Sequence, residues 1–434
     1  MDATYIKNLK TPIAIIGLGK SGGAALSLLE QFAYRSEQII TYDEKPNATL
    51  AYKHCHTPEQ LLALNPKTLV VSPGVPLKSE WIQKLVSDGA LLTSDINLAA
   101  SLITTEKIIG VTGSVGKSTV VSLLGAGAKS FDPNCFVGGN IGIAFSTYAL
   151  NILKSGPRAE WVVLELSSYQ LENCAQLNLD YSIVTFLSAN HLERYSSLEE
   201  YYQTKLKITA ITKELCLFGK TSKDSEKYSA LAHSKTKLIN AENFSRAELL
   251  PKLFLLGLHN KDNFALAAEM AHLCAWPESS LIEMAQYRGL AHRLEFVAEL
   301  RGVTYVNDSK ATAIDSVMVA VTACLENISA VGKLFLLLGG KDKNLPWNEL
   351  TILIKNSQIN PIFFGACGRL AKESSALSGE YFENLGSAIN YAQRRARSGD
   401  VVLLSPGGTS LDEFKNFEQR GDFFKTLVLS GFEA

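Results

Sequence analysis

The chain is predicted to be an α/β protein with parallel sheets, divided into three domains. Three observations carry that prediction. Short apolar runs alternate with helix-length segments through most of the 434 residues, the pattern of strands feeding crossover helices. Twice a glycine-rich turn follows an apolar strand and opens a helix, at "IAIIGLGKSGG" and at "IIGVTGSVGKST". At roughly 150 residues per domain, the length gives about three domains.

The strands can be placed in order. In the first hundred residues, "IAIIG", "QIITYD" and "TLVVSPGVP" read as strands, and "SEWIQKLVSDG" as the helix after the third. A new unit opens at "EKIIGVTGSVGKSTVV" and continues through "EWVVLELSSYQLE" and "YSIVTFLSANHLERY", apolar strands that end in polar residues. Residues 219–247 are polar and read as a surface excursion. After "RGLAHRLEFV", the strands "GVTYVNDS", "KLFLLLGG", "PIFFGAC" and "DVVLLSPGG" alternate with helices again.

Composition narrows the function. A net charge of −1 gives no whole-chain attraction to nucleic acid or to an anionic membrane, so neither is an expected partner. The seven cysteines are scattered without a C-x-x-C pair, which predicts reduced thiols rather than a disulfide frame or a zinc site. "MDATYIKNLK" holds no apolar signal core, and no stretch approaches the ~18 apolar residues of a membrane span. A cytoplasmic location is expected.

The first loop, Gly17-x-Gly19-x-x-Gly22, with Asp43 ending the next strand, has the form of a dinucleotide-binding turn. The same geometry holds any diphosphate at a helix N-terminus. The second loop is the more specific. It sets Gly113, Gly116, Lys117, Ser118 and Thr119 between a buried strand and a helix, although Val111 stands where a strict Walker sequence has its first glycine. Successive N–H groups there make an anion nest, Lys117 reaches the β- and γ-phosphates, and the Ser118 hydroxyl can ligate Mg²⁺. An ATP loop downstream removes the need for NAD upstream.

Candidate metal ligands follow from position. Glu165 ends the strand "WVVLEL" and His191 follows "IVTFLSA", the edge at which an open α/β sheet presents ligand residues. "SLEEYYQTKLKI" reads as a helix with Ser197 and Glu200 at capping-box spacing and Leu198, Tyr201, Tyr202 and Leu206 on its apolar face. On periodicity alone Lys205 is a solvated lysine, Asn263 in "HNKDNFALAA" a helix cap, and Asp308 in "YVNDSKAT" a cap at a strand end.

Taken in order, "GSVGKST", "GGNIG", "ELSSYQLE", "NHLERY…YYQTKLKI", "GLHNKDNFALAA", "AHRLE", "NDSKAT", "LGGKDK" and "SPGGTSLDEFKNFEQRGDFF" resemble the Mur ligase family over essentially the whole chain. The resemblance implies a Rossmann-like UDP-binding domain at 1–104, a central P-loop ATPase domain at 105–290 and a Rossmann-like C-terminal domain at 291–434. It further implies ATP-dependent addition of D-glutamate to UDP-N-acetylmuramoyl-L-alanine in peptidoglycan precursor synthesis, by a protein expected to act as a monomer. By the same resemblance, Lys20, Ser21, Asp43, Glu44, Lys45, Ser72 and Gly74 hold the UDP substrate, and Asn140 lies near that substrate and the γ-phosphate. Ser118 and Glu165 serve one Mg²⁺ and His191 a second, with Lys205 carbamylated. A free ammonium beside two Mg²⁺ ions is electrostatically costly, whereas a carbamate is an anionic ligand. Asn263 contacts adenine, Arg293 the ATP phosphate, Asp308 ribose or a metal-linked water, and Lys310 the substrates. Thr312, Lys343, Ser410 and Phe417 surround D-glutamate. Lys117, Asn140, His191, Lys205 and Lys310 form the catalytic set.

The chain departs from the family pattern in three places. Val115 stands inside the phosphate loop, Ala313 follows "NDSKAT", and "SPGGTS" replaces a more Ala/Cys-rich form. The last two bear on the amino-acid pocket. The alternatives are another ligase of the superfamily with a different amino acid, including the folylpolyglutamate type, and a nucleotide-gated binding protein without ligase chemistry. No "DNPR" motif occurs, which argues against diaminopimelate addition. Glu165, His191, Lys205, Asp308 and Lys310 together exceed what a switch needs.

Overall fold

The computed structural model describes residues 3–45, 51–188, 194–220, 223–329 and 331–430. Three sheets form among them, each from one stretch of sequence. The first joins β1 (Ile13–Ile16), β2 (Ile39–Tyr42), β3 (Lys53–Cys55), β4 (Thr68–Val71) and β5 (Leu91–Thr93) in the order β3-β2-β1-β4-β5, all parallel. The second holds β6 (Lys107–Thr112), β7 (Phe136–Gly139), β8 (Trp161–Glu165), β9 (Leu179–Val184), β10 (Thr212–Gly219) and β11 (Thr236–Ile239) in the parallel order β11-β10-β9-β6-β8-β7. The third holds β12 (Glu295–Leu300), β13 (Val303–Asn307), β14 (Leu334–Gly339), β15 (Ile359–Phe364), β16 (Glu380–Phe382) and β17 (Val401–Gly407) in the order β12-β13-β17-β14-β15-β16. Only its β12–β13 edge pair is antiparallel.

Every residue of β1, β4, β8 and β14 is buried, as parallel strands covered on both faces must be. The sorting is clearest in β14. Leu334, Leu336 and Leu338 enter one apolar cluster and Phe335 and Leu337 the other, the period of two that a strand imposes. The chain divides into two compact units, Met1–Ala247 with Asp262–Met284, and Glu248–Lys261 with Ala285–Ala434. Inside the first unit, two sheets share one apolar core that runs from Ile13 and Ile15 through Phe145 and Tyr148 to Val162 and Leu164.

Two sequence expectations change. Residues 219–247 are not wholly a surface excursion, because β11 pairs with β10 from Cys216↔Thr236 to Gly219↔Ile239 and buries Ile239. An edge strand needs few apolar residues, so the polarity of the segment hid it. The capping box before the helix Leu198–Ala210 is half made. The Ser197 hydroxyl accepts from Glu200 N at 3.1 Å, but the Glu200 carboxylate takes Ser196 N at 2.8 Å, the Ser196 hydroxyl and the Lys78 ammonium. Tyr201, Tyr202 and Leu206 are buried as expected, while Leu198 is exposed. All seven cysteines are free thiols. Among the described residues, no helix is long and apolar enough to cross a membrane.

Candidate active site

The second glycine loop lies where β6 ends and the helix Lys117–Lys129 begins. Gly116 caps that helix at φ +89°, a left-handed conformation that glycine adopts without strain. A Cβ there would also stand 2.4 Å from Asn263 Oδ1. The sequence read Asn263 as opening a helix; it lies instead within the helix Leu258–Leu273, buried against the phosphate loop. Lys117 Nζ folds back to donate to Gly113 O at 2.8 Å and Ser114 O at 3.0 Å. Burial holds its pKa below the usual lysine value, and the Glu165 charge partly offsets that. Thr119 follows as the third residue of the helix, half-buried.

Glu165, the last residue of β8, is 2% exposed. One carboxylate oxygen accepts from the Ser118 hydroxyl and the other from Asn140 Nδ2, both at 2.7 Å. A hydroxyl and a carboxylate oxygen beside a phosphate loop form the hard, all-oxygen donor set that suits Mg²⁺. Among the described residues, no group of three His, Cys, Asp and Glu forms a ready-made metal cluster. His191 lies outside the described residues. Lys205 is not solvated. It is 2% exposed, donates to Gly113 O at 2.8 Å, the carbonyl Lys117 also uses, and lies 4.6 Å over the Tyr201 ring. Burial first, and the Lys117 charge second, push its pKa down to about 6.

The first glycine loop sits at the carboxyl ends of β1 and β4, where the strand order reverses, the usual crevice for a ligand in an open sheet. Gly22 is needed there because a Cβ would stand 1.8 Å from Gly17 O. The Ser72 hydroxyl donates to Gly17 O at 2.7 Å. Asp43 accepts from Leu18 N at 2.8 Å and from Lys45 N at 3.0 Å, and those two bonds hold its pKa below the ordinary aspartate value. Asp43 therefore braces the loop. Lys20, Glu44, Lys45 and Gly74 are exposed, and Ser21 is half-buried. A cleft of about 550 Å³ runs from Leu18, Gly19 and Lys20 to Gly142, Ile143 and Thr147, just past Asn140. Its size is that of a small-molecule site.

The second unit has its own polar edge, at the carboxyl ends of β13, β14 and β17. Asp308 follows β13 and is 7% exposed. It accepts from the Ser405 hydroxyl at 2.8 Å and Leu294 N at 3.2 Å, which ties the loop of exposed Arg293 to it. Burial pushes its carboxyl up to about 7, against those bonds and the Arg293 charge. Lys310 Nζ lies 5.0 Å over the Phe417 ring. Thr312, Lys343 and Ser410 sit on the loops after β13, β14 and β17, and the last two loops are paired by Lys341 and Thr409 through bonds of 2.8 and 2.9 Å. Ser410 is buried and Lys343 exposed.

Family models described as "Mur ligase middle domain" and "Mur ligase, glutamate ligase domain" match residues 111–248 and 292–408. The chain is 33% identical to the UDP-N-acetylmuramoylalanine–D-glutamate ligase of Haemophilus influenzae, over 99% of each chain. It is 31% identical to the protein of that name from Pseudomonas aeruginosa, over 95% of this chain and 97% of the other. The chain belongs to the Mur ligase family. Its fold resembles the solved MurF ligase of Thermotoga maritima in complex with ADP, at a TM-score of 0.56 and 15% identity over 98% of this chain and 97% of that one. MurC of the same organism aligns at a TM-score of 0.52 and 16% identity, over 97% of this chain and all of the other.

As a Mur ligase, the chain carries its odd phosphate-loop residue harmlessly. Val115 is 57% exposed, and its carbonyl, not its side chain, is held, by the Thr185 hydroxyl at 2.6 Å. Three buried groups escaped the sequence reading. The Ser114 hydroxyl bonds both backbone groups of Ser188 and receives the Tyr201 hydroxyl at 3.2 Å. Arg420, fully buried, donates to Ser309 Oγ and O and to Gly408 O, and so fixes the loops after β13 and β17 to each other. Its position within the amphipathic helix Phe417–Ser430 gave no hint of this.

Asp95 is the third. It is 2% exposed, and neither carboxylate oxygen reaches a hydrogen-bond partner among the described residues. Burial without a compensating hydrogen bond raises its pKa from 3.8 to about 6. The native state therefore takes up the proton before the unfolded chain does. Stability from this group is full below about pH 4 and lost as pH rises through about 6. Asp95→Asn, which mimics the protonated form, is expected to stabilise the protein at pH 7 by up to about 3 kcal/mol, at about 1.4 kcal/mol per tenfold. Near pH 4 it should be neutral. Urea unfolding at both pH values checks this, and an equal effect at both would show that the charge is not the cause.

Proposed function

We propose that this Mur ligase is an ATP-dependent enzyme that joins D-glutamate to UDP-N-acetylmuramoyl-L-alanine, acting in the cytoplasm as a monomer in peptidoglycan precursor synthesis. The observation that carries the reading is the full-length similarity, at 30–34% identity, to curated D-glutamate ligases. The functional division is the three-domain one, with boundaries at 104/105 and 290/291; the three sheets, within 13–93, 107–239 and 295–407, are compatible with it.

A carboxylate does not condense with an amine in water without activation. The acceptor's alanyl carboxylate attacks the γ-phosphorus of ATP, ADP leaves, and an acyl phosphate forms. The D-glutamate amine then attacks the acyl carbon, loses a proton, and phosphate departs from the tetrahedral intermediate. The nest at Gly113–Gly116 and the Lys117 ammonium hold the β- and γ-phosphates and take up the charge that develops on them. Ser118 and Glu165, with His191 and a carbamylated Lys205, would hold two Mg²⁺, which supply charge neutralisation at the phosphates. Asn140, fixed by Glu165, orients the acceptor carboxylate. Lys20, Ser21, Asp43, Glu44, Lys45, Ser72 and Gly74 bind the UDP moiety, Asp43 also bracing the loop through its bonds to Leu18 N and Lys45 N. Asn263, Arg293 and Asp308 serve ATP. Lys310 helps bind the substrates, and Thr312, Lys343, Ser410 and Phe417 serve D-glutamate, an ammonium, two hydroxyls and an aromatic wall suiting a small dianion.

Phosphate release measured with each candidate amino acid tests the reading. Turnover should require UDP-N-acetylmuramoyl-L-alanine and D-glutamate together, with L-glutamate inactive. Faster release with L-alanine, L-lysine or diaminopimelate would overturn the specificity.

A further inference from the structure

We infer that Arg194 is a positioning residue that couples the UDP-acceptor loop to the phosphate loop. The inference rests on the functional reading above, in which Ser72–Gly74 belongs to the acceptor site.

Arg194 is a nearly buried cation, its side chain 12% exposed, whose fork is spread over several elements of the first unit. One guanidinium nitrogen donates to Pro73 O at 2.9 Å. The other donates to Val75 O at 3.3 Å and to Glu172 Oε2 at 3.1 Å. The planar group also lies 3.9 Å over the Tyr169 ring. Pro73 and Val75 belong to the loop after β4, in the first sheet. Tyr169 and Glu172 belong to the short helix Ser168–Leu171 and its C-terminal cap, just beyond Glu165 at the end of β8, in the second.

From Arg194 the contacts continue to the phosphate loop. The Tyr195 hydroxyl donates to the second Glu172 oxygen at 2.8 Å. The Tyr195 ring packs on Tyr201 at 5.3 Å, and the Tyr201 hydroxyl donates to Ser114 Oγ at 3.2 Å. Ser114 lies between the nest glycines, and its carbonyl is one of the two that hold Lys117 Nζ. The acceptor loop thus contributes only carbonyl oxygens to this chain of contacts, and a side chain with several N–H donors is required to gather them. A lysine presents a point charge, without the planar fork that holds two carbonyls and a carboxylate from separate nitrogens and stacks flat on Tyr169. An acceptor that draws the loop after β4 into place thereby sets Arg194, Glu172 and Tyr195 against the tyrosine that fixes Ser114. Coupling of this kind is reciprocal, so each ligand should tighten the other.

The test is ligand affinity on the whole chain, by calorimetry, with the non-hydrolysable ATP analogue AMPPNP and UDP-N-acetylmuramoyl-L-alanine, each alone and each with the other saturating. The wild type should show mutual tightening. Arg194→Lys and Arg194→Gln should weaken the acceptor by about 10–100-fold, the scale of a lost hydrogen bond to a charged group. They should keep the affinity for AMPPNP alone and abolish the mutual tightening. Unchanged acceptor affinity would overturn the inference, as would parallel loss of both ligands with a lowered melting temperature, the mark of general damage. Should the arginine variants fail to fold, Tyr195→Phe removes the hydroxyl that bonds Glu172 and should reduce the coupling without changing AMPPNP affinity; coupling equal to wild type would overturn the inference equally. A wild type that binds AMPPNP but no UDP-acceptor overturns the functional reading instead, before any variant is made.

Discussion

Lys117→Ala is expected to lower turnover by about 10²–10³, the usual loss on deleting one preorganised group aimed at developing charge. The Lys117 ammonium is kept on the phosphate loop by bonds of 2.8 Å to Gly113 O and 3.0 Å to Ser114 O, with a third N–H left for a phosphate oxygen. Burial makes that charge costly in the free protein, and the Glu165 charge offsets only part of the cost. The variant should therefore fold at least as well as the wild type while losing catalysis. Phosphate release and a melting curve, measured together, decide the matter. A folded Lys117→Ala protein with near-normal turnover would remove the phosphate loop from the mechanism.

The sequence made the strand ends legible because a parallel strand announces itself by an unbroken apolar run, and its last polar residue marks the ligand edge. Glu165 and Asp308 were readable for that reason, and both lie at the carboxyl ends of their strands. Both glycine loops were readable because positive φ and close approach demand glycine where the turns occur. Long-range hydrogen bonding was not readable. Asp43, expected to meet ligand, also accepts Leu18 N and Lys45 N, a use of the carboxylate that no spacing rule distinguishes. Only the fold shows that Asp95 and Arg420 are buried and that the Arg194 side chain is nearly so. The β11 strand was missed because an edge position tolerates the polar residues that usually mark a loop.

Lys205 is the residue whose environment changed most between sequence and fold, and it carries the last expected result. A helix lysine normally reaches solvent, yet Lys205 is 2% exposed, with its amine 2.8 Å from Gly113 O and facing the Lys117 charge. Two ammonium groups sharing one carbonyl repel each other, and two Mg²⁺ would add to that repulsion. Removing the proton relieves it, and with the pKa pushed down to about 6 the amine is largely neutral at pH 7. A neutral amine attacks the carbon of CO₂, forms an N–C bond and releases one proton, leaving an anionic carbamate with two oxygens. That exchange would turn a poorly placed cation into an anionic group able to hold a metal ion. Metal-loaded enzyme should accordingly show Lys205 heavier by one CO₂ in native mass spectrometry, or as a carbamate at high resolution. Lys205→Ala should lose most turnover and regain part of it with acetate or another short carboxylate, which supplies the missing anion. Lys205→Arg should not be rescued, because its guanidinium fills the space with permanent charge. Full activity in CO₂-free buffer, with an unmodified amine, would rule the carbamate out.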